Sequence, residues 1–136
     1  MTAVVVDTGP IVAFLHEGER HHDWAVEQFS TLPLPFITCE AVIVEATFLL
    51  RRSNRSHEKL LDLITSDALM IGFDLEGEAE VVSALMTRYS NVPMDLADAC
   101  LVRMAEQHAN STVLTLDSDF HIYRKHRREV ISVIMP

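Results

Sequence analysis

Val4-Val5-Val6-Asp7-Thr8-Gly9-Pro10-Ile11-Val12-Ala13-Phe14-Leu15 is the stretch on which the rest of the chain is organised. Three consecutive β-branched residues with no polar alternation suit a strand covered on both faces, as in parallel sheets. Thr8 is placed to cap a following helix and Gly9 to permit a sharp turn. Pro10 suits the first helical position, where its missing N–H costs nothing. Asp7 is then left at the carboxyl end of a central strand, beside a helix N-terminus, the edge at which open α/β sheets bind ligands. Asp is also an ordinary turn residue, so this stretch alone leaves both roles open.

Outward from it, strand-like and helix-like stretches alternate to the last residues. Helices are predicted over 21–32, 39–52, 55–65, 76–89 and 96–108, and strands over 36–38, 69–73, 112–116 and 130–134. There is no repeat and no linker rich in Gly or Ser. The pattern predicts one α/β domain over residues 1–136, with a parallel sheet of about five strands.

With 136 residues and 49% hydrophobic content, the chain can bury a proper core and is not of the disordered class. No apolar run approaches the roughly 18 residues of a membrane span, and no signal peptide is visible. Cys39 and Cys100 both sit in apolar surroundings, as core thiols of a reducing cytoplasm would, and the cytoplasm is the expected location. The net charge of −9 argues bluntly against a nucleic-acid partner, but seven of the eleven basic residues fall in two runs. These are Arg51, Arg52 and Arg55, and Arg124, Lys125, Arg127 and Arg128, the candidates for following a phosphate backbone.

Four acids each admit a local explanation, for Asp117 and Asp119 an ordinary turn and the cap of a short helix, but all four explanations would have to hold together. Glu45 interrupts a helix that is otherwise apolar from Ala41 to Leu50 apart from Thr47, an expensive place for an unpaired carboxylate; a salt bridge to a nearby Arg is the structural alternative. In Asp95-Leu96-Ala97-Asp98, Asp95 reads as an N-cap. Asp98 is either the other half of a capping box or a functional acid on the buried face that it shares with Leu101, Val102 and Ala105. Asp117 follows a buried strand as Asp7 does, with Asp119 two residues on. If the first and fourth strands are neighbours where the winding reverses, Asp7 and Asp117 face each other across the crevice.

Clustered carboxylates raise one another's pKa and persist at neutral pH mainly when a cation offsets their charge. Oxygen-only ligation selects a hard ion, Mg²⁺ or Mn²⁺, and such ions serve phosphodiester hydrolysis. The seven histidines show no ligand spacing, and no glycine-rich phosphate loop is present, which counts against an NTPase.

Asp7-Thr8-Gly9 after a first strand, Glu45 in the third helix, Leu96-Ala97-Asp98-Ala99 opening a late helix, and Thr115-Leu116-Asp117-Ser118-Asp119-Phe120 together resemble the PIN-domain nucleases. The VapC-like ribonuclease toxins of prokaryotic toxin–antitoxin pairs are the subgroup closest in size. The resemblance implies a three-layer α/β/α sandwich and a Mg²⁺ or Mn²⁺ site at Asp7, Glu45, Asp98 and Asp117, with Asp119 an auxiliary candidate. It further implies RNA as substrate, a homodimer, and an antitoxin that masks the site. A housekeeping RNA-processing nuclease and a non-enzymatic PIN-like protein-binding scaffold are the alternatives. A phosphoryl-accepting receiver domain fits less well, because Asp7 has no adjacent acid. A haloacid-dehalogenase-type phosphatase would place a second Asp where Gly9 stands.

Overall fold

The Val4–Val6 run becomes the centre of the molecule. In a computed structural model, which describes residues 2–136, it forms β1 (Ala3–Val6), whose three valines are at most 2% exposed. Two helices, α1 (Thr8–Leu15) and α2 (His22–Thr31), lead to β2 (Phe36–Thr38). Then come α3 (Glu40–Arg52), α4 (Glu58–Thr65), β3 (Leu69–Ile71), α5 (Leu75–Arg88), α6 (Leu96–Gln107) and β4 (Ser111–Leu114). A short 3₁₀ turn (Ser118–His121), β5 (Arg124–Lys125), β6 (Glu129–Val130) and β7 (Val133–Ile134) complete the chain.

Five strands form one parallel sheet in the order β3-β2-β1-β4-β7. β1 pairs with β4 in the register Ala3 to Ser111 through Val6 to Leu114, which meets the condition for Asp7 and Asp117 to face each other. The winding runs outward from β1 to β3 and then returns to the other side of β1. Right-handed crossovers send the connecting helices of the two halves to opposite faces. The helix contacts largely follow this division: α1 packs on α2, α3 and α4, and α5 packs on α6, while α3 also meets α6. Both faces of β1 are therefore covered, which is why it carries no polar alternation. Among the described residues no helix is long and apolar enough to cross a membrane.

Several boundaries differ from the sequence reading for physical reasons. The expected strand over 130–134 divides in two. Glu129–Val130 pairs back antiparallel on Arg124–Lys125, with the turn made by His126 and Arg127 at positive φ. Buried Ile131 then turns the chain inward, and Val133–Ile134 joins β4. Helix α1 starts one residue early: Asp7, not Thr8, is its N-cap, with its Oδ1 accepting from the Thr8 N–H at 2.7 Å. Pro10 consequently lies in the first turn but not at its first position. Gly9 is not needed for a left-handed conformation; a Cβ there would meet the Leu116 side chain at 3.0 Å, so its small size lets α1 approach the chain leaving β4.

Candidate active site

The carboxyl ends of β1 and β4 lie side by side, and a cleft of about 310 Å³ opens there. Asp7, Glu45, Asp98 and Asp117 all line it, together with Asp95, Thr8 and Gly9. Four acids separated by up to 110 positions in the chain thus share one wall-to-wall space. Asp119 is not in this lining; its backbone N–H instead donates to Asp117 Oδ1 at 2.9 Å, closing the 3₁₀ turn.

Asp7 is 7% exposed and held at both oxygens. Oδ1 accepts from the Thr8 N–H, and Oδ2 accepts from the Thr115 hydroxyl at 2.7 Å. The same hydroxyl accepts from the Asp117 N–H at 2.9 Å, so Thr115 ties the two strand-end acids to one another. Burial pushes the Asp7 carboxyl up to about 6, against the two hydrogen bonds that lower it, and the charges of Glu45 and Asp117 add to the rise.

Asp98, 8% exposed, is held differently. Its N–H donates to Asp95 Oδ1 at 2.8 Å, which makes Asp95 the N-cap of α6 as expected. Its own carboxylate does not reach back to complete a capping box but accepts from the Tyr123 hydroxyl at 2.9 Å. Tyr123 is fully buried, edge-on to Tyr89 and Phe120. Burial raises the Asp98 carboxyl to about 7, followed by repulsion from Asp95 and, more weakly, from Asp7 and Asp117, while the Tyr123 hydrogen bond opposes the shift.

Glu45 departs from the sequence reading in one respect. Helix α3 is not buried all round: Val44 is 68% and Phe48 48% exposed, and Glu45 is half-buried between that stripe and the cleft. Among the described residues it forms no ion pair, so the salt bridge that would have explained it structurally is absent. Cys39 and Cys100 are free and buried, as expected of core thiols.

Thr115 and Tyr123 escaped the sequence reading. Thr115 looked like one more strand residue, although its place two positions before Asp117 was visible. Tyr123 gave no sign, because its role depends on a contact with a helix 25 residues away.

The donor set is what a hard divalent cation takes: carboxylate oxygens with no Cys or His among them. The Thr8 hydroxyl lines the same cleft, buried and without a hydrogen-bond partner among the described residues, so the pocket has polar capacity unspent by the protein. As they stand, no three His, Cys, Asp or Glu side chains among the described residues draw together as a closed ligand shell. The donors fit such an ion in chemistry, not yet in convergence.

The fold is shared with VapC20 of Mycobacterium tuberculosis, a Sarcin-Ricin loop cleaving toxin, at a TM-score of 0.76 and 18% identity over 86% of this chain and 92% of that one. No curated protein matches the chain in sequence. The family model for the PIN domain matches residues 4–125, from the first valine of β1 to the end of β5. That span takes in Asp7, Glu45, Asp98 and Asp117 and every strand of the parallel sheet but β7, and the chain belongs to the PIN domain family.

Proposed function

We propose that the protein is a metal-dependent endoribonuclease and the toxin of a toxin–antitoxin pair. One observation carries the reading: four carboxylates from four separate stretches line a single cleft at the carboxyl edge of a parallel sheet. Two of them, Asp7 and Asp98, have their charge opposed by burial and by neighbouring carboxylates. That energetic tension is relieved by a bound cation. The toxin role is supported by family membership and by a structural neighbour that cleaves the Sarcin-Ricin loop. An antitoxin, a second copy of the chain and a cytoplasmic setting are supported by the same resemblance.

Asp7, Glu45, Asp98 and Asp117 would hold Mg²⁺ or Mn²⁺. Such an ion supplies charge neutralisation at the phosphodiester and lowers the pKa of an attacking water. The protein contributes placement. Thr115 fixes Asp7 and the chain carrying Asp117 in one arrangement, and Tyr123 fixes Asp98. Burial keeps the Asp7 and Asp98 carboxylates poorly hydrated, so their interaction with a cation would be stronger than in water. Glu45, half-buried and unpaired at the lip, is the acid best placed to meet the substrate side of the cleft.

The test is cleavage of a fluorogenic RNA by the wild type and by Asp7→Asn, each in Mn²⁺ and in EDTA. Cleavage by the wild type in Mn²⁺ alone, lost in the variant, is expected. Cleavage by Asp7→Asn at the wild-type rate overturns the assignment of the site. A wild type inert on every RNA offered, yet binding a protein partner, makes the chain a scaffold.

A further inference from the structure

A second depression lies at the far end of α3. Its volume is about 280 Å³, and Thr47, Arg51, Arg55, Ser56 and His57 line it. It is not isolated from the carboxylates. A groove of about 620 Å³ between α3 and the start of α6 has Glu45 at one end, shared with the carboxylate cleft, and Thr47 and Arg51 at the other, shared with this depression. Glu45 and Arg51 are six residues apart on one helix, about 9 Å along its axis.

The charges along this path reverse sign. The inner end is five carboxylates, Asp95 included, while the outer end holds two guanidiniums, two hydroxyls and an imidazole, in a chain whose net charge is −9. The Arg51 guanidinium has no ion-pair or hydrogen-bonding partner among the described residues. Arg55 is oriented by the Ser53 carbonyl at 3.3 Å and by exposed Glu17 at 3.0 Å. The other basic run offers no such place. Arg124 is spent on the carbonyls of His121, Ile122 and Tyr123, and Arg127 borders a different depression beside Glu80 and Glu106.

We infer that the Arg51–Arg55 depression binds a backbone phosphate of the RNA strand whose cleaved bond lies at the carboxylates, and that Glu17 competes with that phosphate for Arg55. The inference rests on the ribonuclease reading and adds to it a flanking-phosphate subsite. A phosphate needs what the depression offers: planar donors that can bind it in pairs, the hydroxyls of Thr47 and Ser56, and no carboxylate in the lining itself. With Arg55 partly neutralised by Glu17, Arg51 is the first contact and Arg55 the second.

Binding of a 5′-labelled, mixed-sequence single-stranded RNA is measured by fluorescence anisotropy in EDTA over a range of salt. Wild type, Arg51→Ala, the double variant Arg51→Ala/Arg55→Ala, and Glu17→Gln are compared, with thermal melts to check folding. The double variant is expected to bind about tenfold more weakly, the effect of losing charged hydrogen bonds. The slope of log K against log salt should fall by about 0.7 per lost phosphate contact. Glu17→Gln, which frees Arg55, is expected to bind more tightly, a gain that no loss of structure produces. Unchanged affinity and slope in the double variant, with the wild type still cleaving RNA, overturn the subsite and leave the nuclease standing. A wild type that neither binds nor cleaves RNA overturns both. If the double variant keeps its RNA affinity but loses self-association in gel filtration, the arginines face a second copy of the chain and the inference is wrong.

Discussion

Asp7 is pulled two ways. Its hydrogen bonds from Thr8 and Thr115 favour the charged form, and burial, with Glu45 and Asp117 nearby, disfavours it more strongly. A carboxyl raised to about 6 in the folded protein, against about 4 in the unfolded chain, binds more protons folded than unfolded between those values. Its stabilising contribution is therefore complete below pH 4 and is lost as pH rises through 6, and Asp98 extends the same trend to about 7. The shift at Asp7 corresponds to about 3 kcal/mol. Melting in EDTA should thus occur at lower temperature at pH 8 than at pH 5, and Asp7→Asn should flatten that dependence and raise the melting temperature at pH 8. Saturating Mn²⁺ should stabilise the wild type and do little for the variant, by about 2.7 kcal/mol at a hundredfold excess over Kd. Thr115 makes a companion case. Thr115→Val keeps the shape but leaves the Asp117 N–H and Asp7 Oδ2 without their shared partner. It should cost about 1–3 kcal/mol in chemical denaturation and lower cleavage, while Thr115→Ser should restore both.

Helix α6 separates capping from site chemistry within a single turn. Asp95→Ala removes the acceptor for the Asp98 N–H and should cost about 0.5–2 kcal/mol, with cleavage largely kept. Asp98→Asn keeps that N–H and an acceptor oxygen for Tyr123 but removes the charge a cation needs. Cleavage should fall by orders of magnitude with little loss of stability. Melts in EDTA and a Mn²⁺ cleavage assay on both variants decide this, and the opposite pattern would reduce Asp98 to half of a capping box. The elements themselves were largely legible because most carry a period. The valines of β1, the Asp95 cap and the strand read at 112–116 each announce themselves locally, whereas the β1–β4 adjacency stood only as a condition until the sheet order met it. What could not be read depends on partners distant in sequence. The last strand divides because Ile131 finds the core, and α3 turned out to expose Val44 and Phe48 because nothing in a helical repeat says which apolar side is covered. The four acids were visible as residues out of place. Thr115 and Tyr123 were in place, and so were invisible.

The whole molecule is an open sheet that joins early and late parts of the chain. β1 lies at its centre, yet its partner β4 lies more than a hundred residues later, and the Asp7–Thr115 hydrogen bond spans 108 positions. Pairings this distant form slowly, because loop closure must precede any reward from contact. A prediction belongs to this scale: weakening the junction, for example with Val5→Ala beside Val113, should cost about 1–4 kcal/mol and slow refolding. Stopped-flow fluorescence from Trp24 can follow it. The same topology has a meaning on the ribosome. A nascent chain that has emerged as far as α6 already carries Asp7, Glu45 and Asp98, but the strand that brings Asp117 to them is still inside the exit tunnel. Translation supplies the fourth carboxylate and the strap that orders the first in nearly the same moment. A fragment of this chain that stops short of β4 therefore holds three of the four acids but neither the fourth nor the hydroxyl that anchors the first.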